Sequence, residues 1–370
     1  MLNPVPISRT SAAGRRVAPR TRLHEPKTRV VLLSGSDPRT CVAHNARRVI
    51  DAAYPHLDWI ILTPEEVRHD PASITAHSGI VLAAPAAIAL MKAQDDGGWA
   101  QLEKQLFASL HFAGNLPGLS RFRTSTPLDI ALIRHLGCNH PANARQAASL
   151  QVTLGVAFEF ARLNQRRQLV ATASSSAMRS AGSLFELLMK QSAAANPDIA
   201  STCMTMSRCT ALMVHHPDRL CTIVAAGATS HALAELAVNS TLMPHLMPEV
   251  HLGSRLALFT AVASDLDMLG DCGFANPTGM IRSAIMLLHQ LGATDAATRI
   301  EHALHVTLED GAQLTPDIAY RYPGVSNASF TASVIANTGV HSICLAGGSA
   351  YGFRLPRHIG VPELPAARQQ

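Results

Sequence analysis

Long apolar runs are missing from this chain. No stretch reaches the roughly eighteen residues that a membrane-crossing helix needs, so no membrane span is expected. Aromatic residues make up only 4% of the 370 residues, which leaves few platforms for stacked bases. The seven cysteines are odd in number and form no Cys-x-x-Cys pair. Neither a disulfide framework nor a zinc knuckle is therefore expected, and a reducing compartment fits. No Walker or GxGxxG spacing occurs, and Gly347-Gly348 reads as a turn rather than a phosphate loop. Ser174-Ser175-Ser176 offers hydroxyls, but no GxSxG surrounds them and spacing sets no base beside them, so an acyl-transfer site is not expected. Charged residues are also scarce, at 15%, while 47% are apolar. That is too apolar for disorder and ample for a large core of one or two domains.

What charge there is sits unevenly. Residues 1–29 hold Arg9, Arg15, Arg16, Arg20, Arg22, Lys27 and Arg29 against the single acid Glu25, so the leader carries +6 of a net +5 and the remainder is −1. A basic folded surface for nucleic acid is not supported. The leader is Arg-rich, bears Ser and Thr, and lacks a long apolar segment. It reads as a mitochondrial transit peptide, with an unstructured basic tail as the alternative. Pro4, Pro6 and Pro19 break any long helix there.

Beyond residue 29, short apolar runs alternate with amphipathic ones. Arg29–Leu33, Leu57–Thr63, Gly79–Ala84, Leu128–Ile133, Leu169–Ala173 and Leu220–Ala226 read as strands, most too continuously apolar to have one face in water. Ala43–Ala53 has helical periodicity. An α/β architecture with helices on both faces of a sheet follows. The clearest helix signal runs from Asn276 as cap and Pro277 as first residue, through a stripe of Ile281, Ala284, Ile285 and Leu288, to a stop at Gly292. A second helix is expected over Asp295–Glu309.

Ala275-Asn276-Pro277-Thr278 and Met280 to Leu288 resemble the pattern "ANPxAxIxSAxMML" of the isocitrate/isopropylmalate dehydrogenase family, and Leu314-Thr315-Pro316-Asp317 stands at its later "LTxD". Ala157 to Arg162 resembles the family's "AFExAR", and Asp129 to Arg134 its "DLVIVRE". The resemblance covers about residues 29–335. It implies a two-lobed α/β fold, with a large lobe of 30–114 plus 241–340, a small dimer-forming lobe of 115–240 and a C-terminal extension over 341–370. The family oxidatively decarboxylates 2-hydroxy acids with NAD or NADP and Mg or Mn. The metal needs several acidic oxygens, a Lys helps move the proton, and Arg residues clamp the carboxylates.

Those groups are depleted here. The catalytic Lys falls on Ser174 and a nearby Asn on Ser176; the metal Asp positions fall on Ser207, His231 and Glu235. The substrate Arg at a strand end survives as Arg134; the "NLRP" Arg falls on Pro117, a preceding Arg near Phe107, and the active-site Tyr near Pro141. On the cofactor side, Ala263 replaces an adenine-side His and Ser264 a Gly, while Asn276 and Asp317 remain at positions that touch adenosine. Each survivor has an ordinary alternative. His231 and Glu235, four apart, suit a metal or a surface Glu–His pair. Arg134 can grip a carboxylate or sit in an ordinary salt bridge, and Asn276 can cap a helix. The resemblance therefore implies a non-catalytic subunit, a homodimer or a heteromer with a related dehydrogenase subunit or part of a larger assembly, and the Arg-rich leader points to the mitochondrial matrix. The alternative is an active NAD-dependent decarboxylating subunit of a heteromer, with Mg or Mn.

Overall fold

The computed structural model describes residues 28–35, 41–93, 97–116, 118–119, 128–136, 144–173, 184–227, 230–263, 273–339 and 353–356. The basic leader to residue 27 and most of the 341–370 extension lie outside them. Ten strands form one mixed sheet: β1 (Thr28–Leu33), β2 (Leu57–Leu62), β3 (Ile80–Ala83), β4 (Leu106–Gly114), β5 (Asp129–His135), β6 (Gln168–Ala173), β7 (Ala200–Thr205), β8 (Thr222–Ala226), β9 (Pro248–Gly253) and β10 (Ala257–Ala261). Their spatial order is β2-β1-β3-β10-β9-β4-β5-β8-β6-β7. Strands from 28–114 and 248–261 make one end of the sheet, and those from 129–226 the other.

Both ends are parallel, β2-β1-β3-β10 and β5-β8-β6-β7, and an antiparallel centre, β10-β9-β4-β5, joins them. Val30, Val31, Leu32 and Leu33 are all fully buried. Successive side chains of a strand point to opposite faces, so both faces of β1 are covered, as continuous apolar runs require.

The covering helices, in chain order, are α1 (Val42–Ala53), α2 (Pro64–His69), α3 (Ala72–His77), α4 (Pro85–Ala93), α5 (Gly98–Glu103), α6 (Ala144–Leu163), α7 (Leu184–Ala195), α8 (Met206–His215), α9 (Ser230–Asn239), α10 (Thr278–Gln290), α11 (Thr294–Asp310) and α12 (Asn327–Asn337). Every residue of α10 is buried, the apolar stripe included. Its start differs from expectation by one step. Pro277 occupies the cap position (φ −81°, ψ 0°), and Asn276 caps from one residue earlier, its Oδ1 accepting from Thr278 N at 2.9 Å. This is the reach of a short amide side chain to the backbone two residues on. Gly292 (φ 78°) ends the element in the left-handed conformation that favours glycine.

Candidate functional site

The parallel end β8-β6-β7 points its carboxyl ends toward the segments that the resemblance marks as metal and Lys positions. Ser174 follows β6 directly and, with Ser176, Pro117, Pro141 and Ser264, lies outside the described residues. Ser207 sits in the first turn of α8, exposed, behind a cap in which Thr205 Oγ1 accepts from Arg208 N. His231 and Glu235 are on α9, one turn apart, with Nδ1 and Oε1 3.7 Å apart and side chains 65% and 60% exposed. Among the described residues no group of three or more His, Cys, Asp or Glu is placed to hold a metal. A hydroxyl, an imidazole and one carboxylate do not fit a hard divalent ion that wants several oxygens. The α9 pair is a surface Glu–His pair.

Arg134 is half-buried near the end of β5, and its Nε donates to Ser109 Oγ at 3.1 Å. Ser109 Oγ is hydrogen-bonded in turn to His111 Nε2 at 3.0 Å. The ladders explain this meeting. Ser109 lies opposite Arg134 on β5 and opposite His251 on β9, and His111 lies opposite Glu249. Side chains two apart on one strand share a face, so all five groups converge on one side of the sheet. Glu249 Oε1 stands 3.2 Å from His251 Nε2 and 3.6 Å from His111 Nδ1. Ser109, His111 and His251 are buried. Trp99 meets the His251 ring edge-on at 5.9 Å, and Lys92 Nζ lies 4.8 Å from the Trp99 centroid.

Burial dominates the electrostatics. It pushes His251 down to about 4 and His111 below its usual range, outweighing the pull of Glu249 on both. Burial also raises the Glu249 carboxyl, but His111, His251, Lys92 and Arg134 together hold it below the ordinary value. Burial lowers the Arg134 guanidinium against the opposing pull of Glu249, Glu103 and Glu235. Sequence reasoning found Arg134 alone. It missed Ser109, His111, Glu249 and His251, although polar residues at every second position inside apolar strands were the available signal. Ser109-Leu110-His111-Phe112 of β4 runs beside Arg134, while Phe107 is buried in the core.

The two adenosine-side positions do come together. Asn276 Nδ2 donates to Asp317 Oδ2 at 3.0 Å, and His245 Nε2 donates to the same oxygen at 2.7 Å. Burial raises Asp317, but hydrogen bonds from His245, Thr315 and Asn276 outweigh it and keep the carboxyl below its usual value. Both ends of the Asn276 amide serve the protein, one on Thr278 and one on Asp317. Ala263 nearby in sequence is exposed and carries no ring. The trio fits a staple between α10 and its neighbouring loops.

The sequence profile described as isocitrate/isopropylmalate dehydrogenase matches residues 144–334, just over half of the chain. Isocitrate dehydrogenase [NADP] of Thermus thermophilus is 27% identical over 215 residues, covering 58% of this chain and 43% of that protein. Isocitrate dehydrogenase [NAD] subunit alpha, mitochondrial, of Homo sapiens is 29% identical over 163 residues, covering 44% of each. A 3-isopropylmalate dehydrogenase of Archaeoglobus fulgidus is 27% identical over 179 residues, covering 48% of this chain and 55% of that one. The chain thus spans about half the length of the curated relatives it matches. Among solved structures, isocitrate dehydrogenase from Methylococcus capsulatus superposes with a TM-score of 0.67 at 20% identity, over 84% of this chain and 99% of that one. The TT0538 protein of Thermus thermophilus superposes at 0.71 and 20% identity, over 92% and 74%. These likenesses show a shared fold.

Proposed function

Since the chain belongs to the isocitrate/isopropylmalate dehydrogenase family, we propose that it is a non-catalytic member, a regulatory or structural subunit that keeps the scaffold without the decarboxylating chemistry. One observation carries this reading. The α9 helix, where the resemblance sets two metal carboxylates, presents an exposed His231–Glu235 pair, and the third position is the exposed hydroxyl of Ser207. A Ser hydroxyl at position 174 supplies no ammonium for proton transfer near neutral pH. Buried charges are costly and persist where a function requires them, so their loss beside an intact core fits a site released from catalysis. What remains of the carboxylate clamp, Arg134, is tied to Ser109.

The test is an assay of the purified chain with isocitrate, isopropylmalate, tartrate or malate, NAD or NADP, and Mn. The expected result is no turnover above the protein-free rate; robust turnover overturns the reading. A second reading is favoured by the likeness to a protein named as a subunit alpha: an active decarboxylating subunit whose missing groups come from a related dehydrogenase chain in a heteromer. Turnover that appears only when such a chain is added selects it. Under either reading the Arg-rich leader directs the protein to the mitochondrial matrix. Matrix-purified protein that still begins at Met1 removes that part. No helix among the described residues is long and apolar enough to cross a membrane.

A further inference from the structure

We propose that Glu249 fills a carboxylate-binding site from within, holding between His111 and His251 the position that a small carboxylate ligand would take, so that the site is occupied by the chain's own anion. This rests on the reading of the chain as a non-catalytic family member and says what became of the ligand site.

The groups around Glu249 are those that recognise a carboxylate. Two imidazole nitrogens stand 3.2 and 3.6 Å from Oε1, that of His251 two residues along β9 and that of His111 opposite on β4. A guanidinium and an ammonium, Arg134 and Lys92, lie within electrostatic reach. Glu103 and Glu235 are the other carboxylates that act on Arg134, and both belong to helices rather than to the sheet. Glu249 comes from the middle of the sheet, and its side chain is only 16% exposed. A carboxylate in such a place is costly unless cations and donors face it.

The arrangement is also not a fully satisfied network of its own. Both ring nitrogens of His251 are buried and make no hydrogen bond, although Nε2 faces the Glu249 oxygen. Buried polar groups of a structural network are ordinarily hydrogen-bonded, so an imidazole left this way marks a site shaped for a partner whose position Glu249 takes imperfectly. On the other side, Arg134 of β5 and Ser109 and His111 of β4 are linked by hydrogen bonds, so the shortfall lies at the Glu249 side.

Cutting the side chain back should therefore create a vacant anion site. In the full chain carrying Glu249→Ala, or the less disruptive Glu249→Ser, the melting temperature should fall. Millimolar formate or acetate should restore several degrees of it, while chloride at equal ionic strength should not. The parent chain should respond to neither salt. A variant indifferent to carboxylate, or raised equally by chloride, overturns the proposal. So does a parent chain that gains as much from acetate as the variants do. Where neither variant folds in plain buffer, refolding in acetate against chloride gives the readout. Recovery only in acetate supports the proposal, and no recovery in acetate overturns it. These measurements read stability, so they stand apart from the turnover assay. A catalytic parent chain would end the non-catalytic reading whatever acetate does, and a failed rescue would leave that reading in place.

Discussion

Two buried imidazoles contribute to the acid response of this protein. His289 on α10 is buried, its Nε2 makes no hydrogen bond, and burial, with some help from Arg354, pushes it down to about 4. His251 reaches about 4 for the same leading reason. An unfolded-chain imidazole titrates near 6.5. Below that value the unfolded state takes up a proton that the native state refuses until about 4. Stability is therefore fully present above pH 6.5 and falls as pH drops toward 4, by about 3 kcal/mol for each imidazole. Urea midpoints measured from pH 7.5 to 4.5 should decline steadily. His289→Gln should flatten that decline by about one proton's worth. A variant with an unchanged slope would show that His289 already titrates normally. Residue chemistry was only partly legible beforehand. Arg134, Asn276 and Asp317 were found through family motifs, whereas Glu249 and His251 carry no motif, and only cross-strand pairing gives them meaning.

At the level of elements, six strands were read from their apolar runs, β1, β2, β3, β5, β6 and β8, while the short buried β10 was missed although it too is apolar. The other three unread strands fail for a physical reason. β4 and β9 interrupt their apolar runs with Ser109 and His111, Glu249 and His251, and β7 is the half-exposed edge strand Ala-Ser-Thr-Cys-Met-Thr. The residues that broke the pattern in β4 and β9 are the ones that meet in the polar cluster, so the same feature hid both the strands and the site. Helix α10 was legible because capping and periodicity agree, yet its placement was not. Gly279 lets α10 approach the 244–246 turn. A Cβ there would lie 2.5 Å from the His245 carbonyl oxygen and 2.9 Å from Ala261 Cβ. In an ordinary helix Gly→Ala gains about 1 kcal/mol, whereas overpacking costs about 1–3 kcal/mol. Here the clash is with backbone and cannot relax by rotamer change, so Gly279→Ala should destabilise. A urea series checks the sign, and a stabilised variant would show that the helix has room to move. The His245–Asp317–Asn276 staple depends on that same close approach.

Over the whole molecule, the short segment 353–356 bridges distant parts of the sheet's cover. Phe353 stacks on Phe112 of β4 at 4.6 Å, meets Phe160 of α6 at 5.8 Å, and lies under the Arg166 guanidinium at 5.1 Å. Asn164 grips the Arg354 backbone from both sides, Nδ2 donating to its carbonyl and Oδ1 accepting from its amide, each at 2.9 Å. Gln290, at the end of α10, donates to the Pro356 carbonyl. Four residues thus tie α6, which follows β5 in the chain, to α10, which follows β10, although their strands belong to opposite parts of the sheet. No single residue of this segment announces in the sequence that its ring will be caged. A ring that is partly exposed but stacked and cation-covered contributes less than a fully buried Phe, so Phe353→Ala should lower stability by about 2–3 kcal/mol. The size of the loss alone would not distinguish a bridge from a local plug. Hydrogen exchange does: amides of α6 and of α10 should both exchange faster in the variant, because releasing Phe353 also releases Pro356 from Gln290. Faster exchange in α6 with α10 untouched would mean that the segment closes a hole beside β4 and ties nothing together.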